Sequence, residues 1–297
     1  MESVSLPALA AVGVIVGYIA GMFGVGGGFL LTPLLIYVFG IPAPVAVGSA
    51  LCQKCGTSIA SFLKYRDLQR GEVRFDMVMV AGSILGVDAG TRLLAYLVAA
   101  GDVRIARSSV PLVDLVLDVL FLLLLSSTAV YTFFDVWRAY GSGKVRGDRT
   151  IAGPLAKLRI PPYVDLPHVD LFDVSIPVLA YLGFILGVAS GLMGIGGGVL
   201  FMPVLLYGFG LSARNAAGTG VLLLFATVVV GTFEQALRGY VSLRLAMAIL
   251  IGSSVGSQLG ALTTHYLPNR VLRLLFAVLL SATSAMIAWN LLKLFGG

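Results

Sequence analysis

The segment Gly21-Met22-Phe23-Gly24-Val25-Gly26-Gly27-Gly28 recurs 170 residues later as Gly191-Leu192-Met193-Gly194-Ile195-Gly196-Gly197-Gly198, and the same offset sets Pro33 against Pro203. The register continues through Tyr37/Tyr207, Phe39-Gly40/Phe209-Gly210, Gly48/Gly218 and the triplet Gly82, Gly86, Gly90 against Gly252, Gly256, Gly260. A chain that carries one unit twice must fold as two related halves. Composition names the solvent: 58% of the 297 residues are hydrophobic and 11% are charged, against roughly a quarter charged in an ordinary soluble domain. Runs such as Leu112 to Ser126 and Val174 to Val188 have almost no polar face, and lipid is the solvent that tolerates them. Duplication within an apolar chain marks many membrane transporters, whose substrate site lies between the repeats near the bilayer midplane.

Each copy holds four apolar stretches, over 5–39, 43–63, 75–98 and 110–134 in the first and 174–210, 213–236, 243–265 and 270–293 in the second. A single helix over 5–39 would be roughly 50 Å long against a hydrocarbon core of about 30 Å, so it must break, and the triple glycine is where. The chain either turns there and returns as a shorter arm, or continues as a broken, tilted span. We take the returning arm, which makes the repeats inverted. The expected fold class is an all-α polytopic membrane protein of two homologous, inverted repeats, each a glycine-broken helical hairpin plus about three transmembrane helices.

Lys64, Arg66, Arg70 and Arg74 follow the second stretch, and Arg138, Lys144, Arg146, Arg149, Lys157 and Arg159 fill the long connection; such Lys/Arg-rich loops belong on the cytoplasmic side. The expected organisation is a first membrane repeat over 1–134, a cytoplasmic linker over 135–173 without a domain of its own, and a second membrane repeat over 174–297. The start, Met1-Glu2-Ser3, lacks a basic n-region and a clear cleavage site, so the first span is expected to stay.

Several function classes drop out. The net charge of +6 comes from short loops between apolar spans, not from a basic stripe interleaved with aromatics, so nucleic acid is not an expected partner. The partners expected are a small anion and membrane lipid, and a homodimer is compatible with the sequence. No phosphate-binding Gly-x4-Gly-Lys-Ser/Thr loop is present, which argues against direct ATP-driven pumping. His168 and His265 are isolated, so no metal constellation, cofactor site or catalytic centre is expected. Cys52-Gln53-Lys54-Cys55 has the spacing of a redox motif inside an apolar helix; buried structural thiols are the default, and a thiol site that meets a sulfur oxyanion is the alternative.

The Gly24 to Gly28 and Gly194 to Gly198 segments place unpaired backbone N–H groups at the start of the next helix. Such an end attracts anions, which makes Gly26, Gly27, Gly28, Gly196, Gly197 and Gly198 candidate substrate contacts. The alternative is that these glycines only permit close helix packing, the better account of Gly82, Gly86, Gly90 and their partners. Lys54 lies mid-stretch, where a lysine costs about 2.5–3.5 kcal/mol. Beside Gln53, with Ser49, Thr57 and Ser58 within one or two turns, it can line a site for a small oxyanion; otherwise it pairs with Asp88, Asp114 or Asp118. Asp88 and Arg92, spaced i and i+4, suit a local pair, and Asp118 could serve as a proton relay or ion pair. The second repeat has Leu224, Gln258 and Leu262 at the positions of Lys54, Asp88 and Arg92. The deep charges are therefore expected in the first repeat alone, with Thr219 and Gln258 as the polar contribution of the second.

The paired Gly-x-x-Gly-x-Gly-Gly-Gly-(x)4-Pro segments, the following Ala46-Val47-Gly48-Ser49 and Ala216-Ala217-Gly218-Thr219, and the Arg70-Gly71 and Arg238-Gly239 steps resemble the TauE/SafE-like sulfite exporter family of membrane permeases. The likeness covers nearly the whole chain outside the linker. It implies movement of small sulfur-containing anions, such as sulfite or organosulfonates like sulfoacetate, outward across the bacterial inner membrane. Cys52, Lys54 and Cys55 match no general motif of that family. The expected mechanism is secondary transport by alternating access, one repeat moving against the other; an anion channel and a membrane thiol-redox protein using Cys52 and Cys55 are the alternatives.

Overall fold

The computed structural model describes residues 6–23, 28–67, 73–105, 108–142, 153–167, 171–211, 219, 221–264, 267 and 269–296. The second copy breaks at its glycines. Helices α1 (Leu6–Phe23) and α2 (Gly28–Tyr37) flank residues 24–27, which lie outside the described residues. The first copy continues with α3 (Ala43–Asp67), α4 (Val73–Ala99) and α5 (Leu112–Ser142). In the second copy α6 (Ile176–Met193) and α7 (Gly198–Pro203) flank the glycine turn, and α8 (Val221–Leu237), α9 (Leu243–Thr264) and α10 (Asn269–Gly296) follow.

The duplication extends to backbone hydrogen bonds. Pro203 has no N–H for the helical ladder, and past it the chain widens into a π-helical turn over Val204–Phe209, the geometry that re-pairs displaced carbonyls. That turn closes with the Leu211 N–H on the Leu205 carbonyl at 3.0 Å, and the Ile41 N–H meets the Leu35 carbonyl at the same 3.0 Å one repeat earlier. Gly40 and Gly210 take the left-handed φ of 62° and 77° between them, a conformation glycine adopts without steric cost.

Two short hairpins were not expected from the apolar pattern. Strand β1 (Asp102–Ile105) pairs antiparallel with β2 (Ser108–Pro111) between α4 and α5, with Val103 opposite Val110. Strand β3 (Tyr163–Leu166) pairs with β4 (Leu171–Ser175) in the linker. The linker also ties back to the π-helical turn, its Gly153 and Leu155 N–H groups bonding the Phe209 and Gly208 carbonyls at 3.0 and 2.9 Å. Ser175 then caps α6: its hydroxyl accepts from the Val178 N–H at 3.4 Å and donates to the Ile160 carbonyl at 2.7 Å, a capping arrangement that satisfies a free first-turn donor.

Glycine ridges decide which helices pack. A Cβ added at Gly13, Gly17 or Gly21 of α1 would overlap the carbonyls of Ile249, Ser253 and Ser257 of α9, and one added at Gly252, Gly256 or Gly260 would overlap those of Ala10, Val14 and Tyr18. The same reciprocal ridge joins α6 to α4: Gly183, Gly187 and Gly191 face Met79, Ser83 and Val87, while Gly82, Gly86 and Gly90 face Ala180, Phe184 and Val188. Residue numbers rise together in both pairs, so each runs parallel. Such spacing brings backbones into contact, the device that joins helices where lipid gives no hydrophobic drive. Helices α3 and α8 run antiparallel instead, Gly48 lying against Gln235 and Tyr240, and Gly231 against Leu51. The two repeats are thus interlaced, each lending its first helix to the other.

Five helices among the described residues are long and apolar enough to cross a membrane, over Arg74–Ala99, Leu112–Phe134, Ile176–Met193, Leu243–Gly260 and Leu274–Lys293, with shorter apolar helices over Pro7–Met22 and Leu223–Leu237. Leu85, Leu123, Tyr181, Ile251 and Trp289 all stand well exposed on the bundle. So broad an apolar exterior is what lipid solvates. The protein is a helical, multi-pass membrane protein.

Candidate functional site

The site is built where α6 stops. Gly194 ends the helix at φ 70°, its N–H bonded to the Ser190 carbonyl at 3.0 Å, and left-handed glycine is the commonest way to finish a helix. Gly196 at φ 67° and Gly197 at φ 79° carry the chain round, and α7 restarts at Gly198 without a side-chain cap. All of these glycines are buried.

Lys54 of α3, only 1% exposed, reaches into this turn. Its Nζ donates to the Gly194 carbonyl at 2.9 Å and to the Ile195 carbonyl. A Cβ at Gly196 would stand 2.9 Å from Lys54 Cδ and 2.9 Å from Val228 Cγ1, so this glycine makes room for the lysine. The carbonyl end of a helix carries roughly half a negative charge, and α6 points that end at the ammonium. An ammonium has three donors, and the third has no partner among the described residues.

Two expectations change here. The turn was expected to offer N–H groups to an anion; it also offers two carbonyls to Lys54, because α6 ends there in the same few residues that start α7. No acid pairs with Lys54 among the described residues. Asp88 bonds Arg92 at 2.8 Å, the local pair expected from their spacing, with side chains 38% and 72% exposed. Asp118 is buried in α5 and accepts from the Tyr37 hydroxyl at the end of α2, while Asp114 is half-buried one turn earlier.

The polar neighbours of Lys54 tie helices together. Ser49 accepts from the Ser242 N–H at 3.0 Å, ahead of α9, and Gln53 donates to Ser253 of α9 at 2.7 Å. Thr57 donates to the Lys54 carbonyl at 3.2 Å and Ser58 to that of Cys55 at 3.0 Å, a common recourse of hydroxyls within helices. Thr219 is buried. Gln258 sits on the exposed face of α9 beside Leu259 and does not join the site, because the opposite face is the one the glycine ridge turns inward. Gly28 opens α2; Gly26, Gly27, His168 and His265 lie outside the described residues. Cys52 and Cys55 are half-buried free thiols.

The deep charges are not confined to the first repeat. Glu234 of α8 accepts from the Thr91 hydroxyl and pairs with Arg238 at 3.3 Å, their side chains 16% and 26% exposed. The i,i+4 spacing at the end of an apolar run was the signal for it. Four buried side-chain atoms, Thr32 Oγ1, Ser190 Oγ, Thr232 Oγ1 and Gln235 Oε1, have no hydrogen-bond partner among the described residues. Nothing in the sequence pattern sets them apart, since each occupies an ordinary helical position.

Comparison with known proteins gives a consistent answer. The profile of the family described as "Sulfite exporter TauE/SafE" matches residues 9–287. A probable membrane transporter protein of Xylella fastidiosa is 26% identical over 289 residues, covering 94% of this chain and 93% of that one. The probable membrane transporter protein YjnA of Bacillus subtilis is 28% identical over 268 residues, covering 89% and 92%, and YunE of the same organism is 22% identical over 279 residues, covering 92% and 93%. No solved structure matches.

Proposed function

The chain belongs to the sulfite exporter TauE/SafE family of membrane transporters, and on that premise we propose that it is a secondary transporter that carries small sulfur-containing anions, sulfite or organosulfonates such as sulfoacetate, outward across the cell inner membrane. One observation carries the reading: the buried Nζ of Lys54 is held by the carbonyl end of a helix and, among the described residues, not by a carboxylate. A lysine bound to an acid has little left for a substrate, whereas this one keeps a donor and a positive charge for an arriving anion. Charge-assisted hydrogen bonds of that kind are the strong ones. In this reading Lys54 and the Gly196-Gly197-Gly198 turn form one side of the site.

The repeats are inverted across the membrane. Support comes from the equivalent helices α3 and α8, which run antiparallel, and from the parallel pairing of α1 with α9, the fourth helix of the other copy. Alternating access then does not move one repeat against the other. The glycine ridges bind α1 to α9 and α6 to α4, so each moving body is a mixture of both repeats.

Purified protein in proteoliposomes tests the function: saturable flux of sulfite, sulfoacetate or thiosulfate above that of chloride is expected. Flux of none of the sulfur anions overturns it. A second measurement tests the moving bodies. In a Cys52→Ser/Cys55→Ser background, expected to transport as the native protein does, cysteines replace Tyr18 and Thr263, whose side chains meet at 3.2 Å between α1 and α9. Joining them with a short thiol-reactive cross-linker is expected to leave flux within about twofold, because helices in one rigid body do not slide past each other. Blocked flux would restore movement of repeat against repeat.

A further inference from the structure

Most buried hydroxyls in this bundle bond a carbonyl of their own helix, as Ser83, Thr91 and Thr227 do at 2.8–3.0 Å. Thr32 and Ser190, 0% and 1% exposed, do not, and neither does Thr232. The buried Gln235 is more demanding. Its Nε2 donates to the Gly191 carbonyl at 3.3 Å while its Oε1 has no donor among the described residues. Flipping the amide would set oxygen against the Gly191 carbonyl, so the hydrogen-bond network dictates its orientation. A hydroxyl can turn to donate or accept; an amide oxygen can only accept.

These groups gather at the terminus of α6 that holds Lys54. A Cβ at Gly194, whose carbonyl binds the ammonium, would stand 3.2 Å from Thr32 Oγ1 and 2.9 Å from Val47 Cα. One residue on, a Cβ at Gly48 would stand 3.3 Å from Gln235 Cβ. Thr232, one turn before Gln235, shares the face of α8 that carries Val228 towards Gly196, since residues three and four apart are neighbours on a helix. Buried polar groups left without partners indicate a ligand or a water. A cation would suit neutral oxygens, but the ammonium on the adjoining carbonyls opposes it.

We propose that Gln235 Oε1 is the accepting half of the Lys54 site, and that the cargo is taken up as a singly protonated oxyanion of the hydrogensulfite type. The inference rests on the transport reading above and narrows it. The charged oxygens of such an ion meet the ammonium and the hydroxyls of Thr32 and Ser190, and its proton meets Oε1. A dianion, or a sulfonate with no proton to give, turns lone pairs towards the amide oxygen. Sites that bond a particular hydrogen reject analogues that lack it, because their own polar group is then left unpaired.

The full chain in proteoliposomes tests this by sulfite flux at constant total sulfite across a pH series, with sulfate and methanesulfonate as tetrahedral competitors that offer no proton. Flux is expected to follow the singly protonated fraction, with both competitors at least about tenfold weaker than sulfite. Gln235→Leu is expected to bring the competitors within about threefold of sulfite. Where Gln235→Leu fails to fold, competition in the native protein decides. Equal competition by sulfate in the native protein overturns the proposal. So does unchanged discrimination in Gln235→Leu, which would leave water alone at Oε1. In both of those results sulfite is still carried, so the transport reading stands; absence of any sulfur-anion flux removes the two together.

Discussion

A Lys54→Met protein is expected to fold and insert but to carry sulfur anions at least about thirtyfold less efficiently, read as the ratio of maximal flux to half-saturating concentration. Two opposing terms leave the fold standing. Removing the ammonium relieves an insertion cost of about 2.5–3.5 kcal/mol, and it strands the Gly194 and Ile195 carbonyls at about 1–3 kcal/mol each. Methionine fills the same unbranched volume between Gly196 and Val228. Transport has no such offset: losing one partner of a buried, charge-assisted contact costs about 2–5 kcal/mol, and about 1.4 kcal/mol is tenfold. Lys54→Arg is not expected to rescue flux, because a planar guanidinium does not reproduce the compact ammonium that meets the Gly194 and Ile195 carbonyls. Undiminished flux in Lys54→Met would remove the residue from the mechanism and leave it as a helix cap.

The second large effect is on assembly. Gly86→Leu in the ridge between α4 and α6 is expected to prevent recovery of monodisperse protein, and Gly86→Ala to lower the melting temperature in detergent. A Cβ at Gly86 would overlap the Phe184 carbonyl oxygen and stand 2.9 Å from its carbon and 3.0 Å from Gly187 Cα. All of these are backbone atoms that no rotamer change moves aside. Overpacking costs typically about 1–3 kcal/mol, and here the separated ridge also loses contacts along its length. Gly101 is the control: it has a left-handed φ of 74° and nothing within 4 Å of its Cβ position. Asn tolerates that conformation, so Gly101→Asn is expected to melt close to the native protein. Equal losses in Gly86→Ala and Gly101→Asn would mean that the ridge does not hold the bundle.

Much of the scaffold was legible because it depends on local rules. Apolar runs placed α3, α4, α9 and α10 within a few residues of their observed ends, and the length of 5–39 against bilayer thickness required a break. Helix α5 outlasts its apolar run, continuing as helix to Ser142. The hairpins at 102–111 and 163–175 escaped notice because four- and five-residue strands leave too short an alternation to read. Of the site candidates, the burial of Lys54 was legible from its position; its partners were not. Gln258 was placed at the site by its alignment with Asp88, yet both face away from Lys54, since a repeat relation preserves a position on its own helix and says nothing of what that helix packs against.

By itself the sequence determined the duplicated unit, the lipid solvent, the break at the glycines and the buried lysine, all of which follow from spacing, hydropathy and the missing side chain of glycine. Only the tertiary structure decided that α1 belongs with α9 and α6 with α4, that the turn shows Lys54 its carbonyls, and that Gln235 bonds the last turn of α6 through Nε2 while its Oε1 has no donor among the described residues. The physical reason is distance along the chain. Lys54 and Gly194 are 140 residues apart, and a break between helices offers acceptors from the helix that ends and donors from the one that starts. Which of the two a buried charge meets is set by how the helices pack.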